Sequence, residues 1–228
     1  MRSIQDVPKN SSLKENSKDH CWFCESCAKS PCLGLNSCIK WLETKTLVDY
    51  ARLPIRYNCP EKLKLNPDIE VPQEIITLFN NIKSEIDSGN NFYIYSSLCR
   101  TGKTFWACRL ILNYILQVWA GNAFRPRAVF VHVPTYLETK NANRFTKDTD
   151  ELDDLIDKCD LVVWDDIGAT KMTEYEKSVL LVKIDNRLNR QQSNIYTSNL
   201  YSEPLLENVE ARLATRIWNE STLINLDV

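Results

Sequence analysis

From about residue 72 onward the chain moves between two hydrophobic rhythms. Ile75, Ile76, Leu78, Phe79, Ile82 and Ile86 recur at helical spacing, and Ser88-Gly89-Asn90 closes that stretch. Phe92 to Tyr95 then reads as a short apolar strand. Phe105 to Trp119 is a long, largely apolar helix. Ala128 to Val133, Leu161 to Trp164, Ser193 to Thr197 and Leu223 to Leu226 read as further strands. Short apolar strands separated by helices predict an α/β fold, a parallel five-stranded sheet with helices on both faces. Such sheets place ligands at the C-terminal ends of their strands.

Ahead of this core the rhythm is lost. Residues 1–19 are polar and aperiodic and are expected to be a disordered tail. Then Cys21, Cys24, Cys27, Cys32 and Cys38 fall within eighteen residues, with His20 beside them, while Cys59, Cys99, Cys108 and Cys159 are scattered. Nine cysteines is an odd count for a secreted disulfide framework. In a reducing compartment a cluster of this kind points to a metal. Paired Cys-x-x-Cys thiolates suit a tetrahedral structural Zn²⁺, with these five cysteines and His20 offering six ligands for four positions. The start of an iron–sulfur ligand set and a group of free thiols are the alternatives. Ligation would supply the folding energy that so short a segment lacks. A short helix is expected from Ser37 toward Val48. Pro54, Pro60, Pro67 and Pro72 then mark a connector. The expected units are the tail, a cysteine-rich segment and connector at 20–60, and a core at 61–228.

Composition narrows the picture without naming a function. The 228 residues are 43% hydrophobic and 25% charged, enough to bury a real core. A net charge of −2 excludes a global basic field for nucleic acid, so any such surface is local. No apolar run approaches the ~18–20 residues that span a bilayer, and the N-terminus lacks the apolar centre of a signal peptide. The expected location is the cytoplasm.

The chemistry sits where the strands end. After the first strand comes Ser97-Leu98-Cys99-Arg100-Thr101-Gly102-Lys103-Thr104, which fits the phosphate-binding pattern G-x-x-x-x-G-K-[ST] with Ser97 in place of the first glycine. Backbone N–H groups and the following helix N-terminus would face phosphates. Lys103 would reach the β- and γ-phosphates of a nucleotide, and the Thr104 hydroxyl would bind Mg²⁺. Lys103 is expected to be exposed, and Ser97 to strain a turn that glycine would make freely. Leu161-Val162-Val163-Trp164 ends in Asp165 and Asp166, a Walker B element in which Asp165 would hold Mg²⁺ and Asp166 polarise the attacking water. Beyond the fourth strand, Asn199 is a candidate for orienting that water.

The order of phosphate loop, "LVVWDDIGATKMTEYEKSVLLVKIDNRL", "IYTSNL" and "VEARLATRI" resembles the AAA+ helicase loaders of bacteria and their phages, of the DnaC and DnaI type. The IstB-type transposition ATPases share most of it. The resemblance covers about residues 90–228. It implies an ATPase, with Asp165 and Asp166 as the Walker B pair, Asn199 as sensor 1, and Arg212 and Arg216 in the box that carries the arginine finger. It also implies ATP and Mg²⁺, assembly into a ring or spiral, and a replicative DnaB-type helicase as partner. Ser97 departs from the pattern, and the sequence ends just past the fifth strand without a helical lid, from which weak monomeric turnover is expected.

Other features have two readings each. Lys140, Arg144, Phe145 and Lys147 form a basic stretch with one aromatic, either a solvated loop or a contact for single-stranded DNA. Asp148 to Asp160 holds seven acids and one lysine and reads as a solvated helix face over Leu152, Leu155 and Ile156. His132 reads as structural, and Trp106, Trp119 and Trp218 as core or interface packing. Glu207 and Glu210 are the expected partners if Arg212 and Arg216 pair within the chain. A helicase loader is the leading reading. A transposition-type regulator, a nucleotide-gated adaptor with little hydrolysis and a small P-loop kinase are the competitors.

Overall fold

The computed structural model describes residues 39–66, 69–118, 125–142 and 151–227. The cysteine cluster at 21–38, Trp119 and the stretch 143–147 lie outside the described residues. Five strands form, β1 (Asn91–Tyr95), β2 (Ala128–His132), β3 (Leu161–Asp165), β4 (Ser193–Ser198) and β5 (Ser221–Asn225). They pair in parallel in the order β2-β3-β4-β1-β5. Eight α-helices accompany them among the described residues: α1 (Ile39–Tyr50), α2 (Gln73–Asp87), α3 (Lys103–Val118), α4 (Val133–Ala142), α5 (Glu151–Lys158), α6 (Glu174–Asn189), α7 (Ser202–Asn208) and α8 (Ala211–Asn219).

Strand side chains alternate between two faces, and here both are covered. Phe92, Ile94, Phe130, Val163 and Ile195 pack against α1, α2 and α3. Tyr93, Val131, Val162, Trp164 and Tyr196 pack against α4 to α8. The expected helices-on-both-faces arrangement is what forms. The expected strand ending at Val133 stops one residue sooner, because Val133 turns inward as the first residue of α4. Among the described residues no helix is long and apolar enough to cross a membrane.

The boundary expected near residue 60 has no counterpart in the described structure. Leu47, Val48, Ala51, Leu53 and Leu63 belong to the same buried cluster as α2 and α3. The Phe130 N–H of β2 donates to the Ala51 carbonyl at 2.8 Å. The prolines interrupt helix as expected, and Pro54 and Pro60 introduce two 3₁₀ turns, at Ile55–Tyr57 and Pro60–Leu63. Those turns are packed rather than free. The Arg109 guanidinium of α3 donates to the Leu63 carbonyl and lies over the rings of Phe79 and Trp106 at 4.8 and 5.3 Å.

Two further devices hold the other face. Thr173 and Glu176 form a reciprocal capping box that starts α6. At the far end of that helix Arg187 is buried and donates to the carbonyls of Ile156, Cys159, Asp160 and Ser193 and to Asn194 Oδ1. One side chain thereby satisfies the backbone where α5 turns into β3 and where β4 begins.

Candidate active site

The parallel sheet brings the ends of β1, β3 and β4 together, and the turn after β1 carries the phosphate-binding pattern. Residues 96–102 lead directly into α3. Two of them have left-handed backbones, Arg100 at φ 66° and Gly102 at φ 91°. Ser97 has no positive φ, so the strain expected at that position is absent and falls on Arg100 instead.

Lys103 is also placed differently from expectation. It is 7% exposed, not solvent-facing. Its Nζ donates to the Ser96 carbonyl at 3.4 Å, the Leu98 carbonyl at 3.0 Å and Thr101 Oγ1 at 3.3 Å. Burial lowers its pKa, and the negative groups nearby, Asp166 first, work against that fall. The loop's own carbonyls occupy the ammonium that the sequence assigned to phosphate.

Behind the loop lies a tight cluster of hydroxyls and carboxylates. Thr104 Oγ1 donates to Asp165 at 3.0 Å (Oδ1) and 3.2 Å (Oδ2). From the other side Thr197 Oγ1 donates to Asp165 Oδ1 at 2.6 Å, and the Asp166 N–H donates to Thr197 Oγ1 at 3.0 Å. Asp165 is buried, which raises its pKa; the two threonine hydroxyls oppose the rise. Asp166 has φ 59°, so the chain bends out of β3 and leaves its carboxylate partly open to solvent. His132 ends β2 level with Asp165. Its Nε2 is 3.6 Å from Asp166 Oδ2, and its Nδ1 is 2.8 Å from Thr135 Oγ1. The ligand atoms of His132, Asp165 and Asp166 lie within 4.8 Å of one another. Hard oxygen donors from Asp165 and Thr104 suit Mg²⁺ beside a phosphate.

Thr197 is not singled out in the sequence and His132 reads there as structural, although one signal points to both. Ala128, Phe130, Leu161, Val163 and Ile195 face α3. Counting on in steps of two gives His132, Asp165 and Thr197 at the strand ends, on the face where the phosphate loop enters its helix. Asn199 is exposed, one residue beyond β4, and the β4 side chain that meets the acids is Thr197.

Beside the loop is a cleft of about 240 Å³ between the connector and the start of α3, lined by Leu65, Val71, Gly102, Phe105, Trp106 and Leu226 among others. Its apolar walls suit a flat ring next to the phosphate position.

The remaining candidates sit elsewhere. Arg212 and Arg216 share one face of α8, and both engage Asp185 of α6, at 3.4 Å (Nη2 to Oδ2) and 3.0 Å (Nε to Oδ1). Arg216 also lies 3.9 Å from Glu220. The acids that pair with them are therefore Asp185 and Glu220, not Glu207 and Glu210. Lys140 lies on α4 rather than in a loop, and its Nζ is 2.7 Å from Asp153 Oδ2. Arg144, Phe145 and Lys147 lie outside the described residues, as do Cys21, Cys24, Cys27, Cys32 and Cys38. Trp106 is core, and Trp218 packs on Tyr93 and Tyr95.

No protein-family model and no curated protein matches the sequence at a significant level. Solved structures do share its fold. The DnaC helicase loader is 14% identical with a TM-score of 0.61, over 75% of this chain and 99% of that one. DnaI is 15% identical with a TM-score of 0.59, over 82% and 97%. The replication initiator DnaA bound to AMPPCP and single-stranded DNA is 16% identical with a TM-score of 0.57, over 72% of this chain. The match spans 51% of that DnaA chain, about half its length. The chain has the P-loop AAA+ fold common to these proteins.

Proposed function

We propose that this chain, with the fold of the DnaC and DnaI structures, is an ATPase that binds a replicative hexameric helicase and helps place it on single-stranded DNA. One observation carries the ATPase reading. Thr104 and Thr197 clasp Asp165 directly behind the phosphate loop, while Asp166 turns outward with a partly exposed carboxylate beside His132. That arrangement has a use if a phosphate and its cation sit in front of Asp165 and a water in front of Asp166. The likeness to DnaC and DnaI supports the loader reading, and the DnaA structure with AMPPCP and single-stranded DNA supports nucleotide and DNA as ligands.

In this reading the phosphates enter over the α3 N-terminus, where loop N–H groups and the helix dipole favour negative charge. Lys103 exchanges its three loop acceptors for phosphate oxygens. Mg²⁺, held by Thr104 and, through water, by Asp165, would neutralise charge on the transferring phosphoryl group. Asp166 polarises the attacking water, His132 orients that carboxylate, and Asn199 addresses the water from the rim. Arg212 and Arg216 act from a neighbouring subunit in a ring or spiral. Lys140, Arg144, Phe145 and Lys147 remain the proposed DNA contacts, with Lys140 first leaving Asp153.

Lys103→Ala is expected to abolish ATP binding in a titration. The lysine is buried, so melting is measured alongside. A variant that melts like the parent and still binds ATP as tightly would refute the site. Turnover measured with and without single-stranded DNA separates a loader from an adaptor that only binds. Co-purification with a DnaB-type helicase separates it from a transposition-type regulator.

The cysteine cluster is proposed to hold about one structural Zn²⁺ per chain, through four of Cys21, Cys24, Cys27, Cys32 and Cys38. Elemental analysis decides this. Iron with acid-labile sulfide would indicate a cluster instead, and absence of both metals would indicate free thiols. Chelation is expected to impair partner binding and to spare nucleotide binding, because the sheet has its own core.

A further inference from the structure

We propose that Asp227 is a positioning residue of the phosphate loop, and that Ser97 stands at the loop's first position because its hydroxyl and N–H anchor the Asp227 carboxylate. The loop's use for phosphate is the reading given above; the brace itself does not depend on it.

The front half of the loop is held by polar contacts alone: Lys103 Nζ donates to the Ser96 and Leu98 carbonyls, and the Leu98 N–H to Ser96 Oγ, but none of these reaches Ser97. Ser97, Leu98, Cys99 and Arg100 are all exposed, so no apolar packing holds them. A loop whose N–H groups must converge on one anion needs a defined shape before the anion arrives. Asp227 supplies that definition. Its Oδ1 accepts from Ser96 Oγ at 2.5 Å, and its Oδ2 accepts from the Ser97 N–H at 3.0 Å and from Ser97 Oγ at 3.0 Å. Bonds to an ionised acceptor are stronger than neutral ones, and these hold the carboxyl below its usual range, the Ser96 bond most.

The carboxylate is itself delivered by ordered backbone. β5 runs beside β1 with Asn225 level with Tyr95. Just beyond, the Leu226 N–H donates to the Tyr95 carbonyl at 2.8 Å, and the Leu226 side chain is buried in the core. The Asp227 N–H then donates to Asn225 Oδ1 at 3.0 Å. The segment after β5 therefore lies along the segment after β1 and presents one acid to three donors of the loop. A glycine at 97 would delete one of those donors and loosen the backbone. Since Ser97 has no positive φ, glycine would relieve nothing in return.

Ser97→Gly restores the glycine of the general pattern, so the ordinary expectation is equal or better nucleotide binding. The brace predicts the reverse. Binding of AMPPCP with Mg²⁺ would be titrated for the parent, Ser97→Gly, Asp227→Ala, Asp227→Asn and the Ser97→Gly/Asp227→Ala double variant. The first two single variants are expected to bind about tenfold more weakly, the scale of a lost charge-assisted hydrogen bond. Asp227→Asn keeps an acceptor oxygen and should fall between them and the parent. The double variant should be no weaker than the worse single one, because both remove the same contact. Melting should match the parent throughout, since Asp227 is exposed. Hydrogen exchange of residues 96–102 without nucleotide should accelerate in Ser97→Gly and Asp227→Ala. Unchanged exchange, equal or tighter binding by Ser97→Gly, or fully additive losses in the double variant would each overturn the brace. If the parent binds no nucleotide, the ATPase reading fails, and the exchange measurement still decides the brace.

Discussion

Replacing Arg216 with alanine is expected to lower assembly-dependent ATP hydrolysis by about 10³-fold, the scale of an arginine supplied to a phosphoryl-transfer site, and to leave nucleotide binding by the isolated chain intact. Among the described residues the Arg216 guanidinium pairs with Asp185 and Glu220, and not with the phosphate loop or the acids of β3. It can therefore contribute nothing to the site of its own chain in this arrangement. The Arg216 side chain is 31% exposed and that of Asp185 16% exposed, so this pair is partly buried and releasing it leaves a carboxylate to be satisfied. Arg212 also pairs with Asp185 and would stay with that acid if a neighbouring subunit's phosphate took Arg216. Arg212 is more exposed and more loosely paired, which suits orienting Arg216 or lining the interface. The decisive measurement is mixing. Subunits carrying Arg216→Ala have intact acids, and subunits carrying Asp166→Asn have an intact arginine, so a mixed assembly contains competent junctions. Activity should rise on mixing two nearly inactive proteins. Co-assembly with no rescue would mean that the arginine does not act across subunits.

Asp166→Asn is expected to cut turnover by about 10²–10⁴-fold, the range for loss of a positioned proton acceptor, with ATP affinity near the parent's. The structure separates the two acids cleanly. Asp165 is buried and committed to Thr104 and Thr197, whereas Asp166 is partly open and donates only its backbone N–H to that network. Asparagine keeps the shape of the side chain and tolerates the left-handed backbone at φ 59°, so the fold should not suffer. Single-turnover hydrolysis and an equilibrium titration, run on the same preparation, report the two quantities separately. A parallel loss of binding and turnover would place Asp166 among the phosphate or cation ligands instead.

The parts of this site that were legible in the sequence are those confined to one short segment. The loop at 97–104 and the paired acids at 165–166 announce themselves because backbone geometry forces their spacing. What was hidden depends on parity or on distance. Counting strand residues in twos from Phe130 and Ile195 reaches His132 and Thr197 but also Asn199; β4 ends at Ser198, so Thr197 alone of that pair meets Asp165. Asp227 meets Ser97 across 130 positions of sequence, and Asp185 meets Arg212 across 27, where no local pattern operates. Lys103 was expected in solvent because the sequence pattern assigned it to phosphate. Burial costs an ammonium less when three acceptors of the same loop surround it. The prolines of the connector correctly signalled interrupted helix, but interruption did not mean detachment, since Leu53 and Leu63 lie in the core.

The burial of Leu53 and Leu63 changes where this protein can be divided and recombined. A cut at residue 60 would strip Leu47, Val48, Ala51 and Leu53 from the side of α3 and uncover an apolar wall there, the kind of surface that drives aggregation. The portable core starts no later than α1, at Ile39, immediately after Cys38 in sequence. In sequence, the cysteine-rich segment at 21–38 directly precedes that helix. Exchanging one such segment for another would keep the engine intact only if the joint lies ahead of that helix, and α1 would then set the direction in which the new module leaves the sheet.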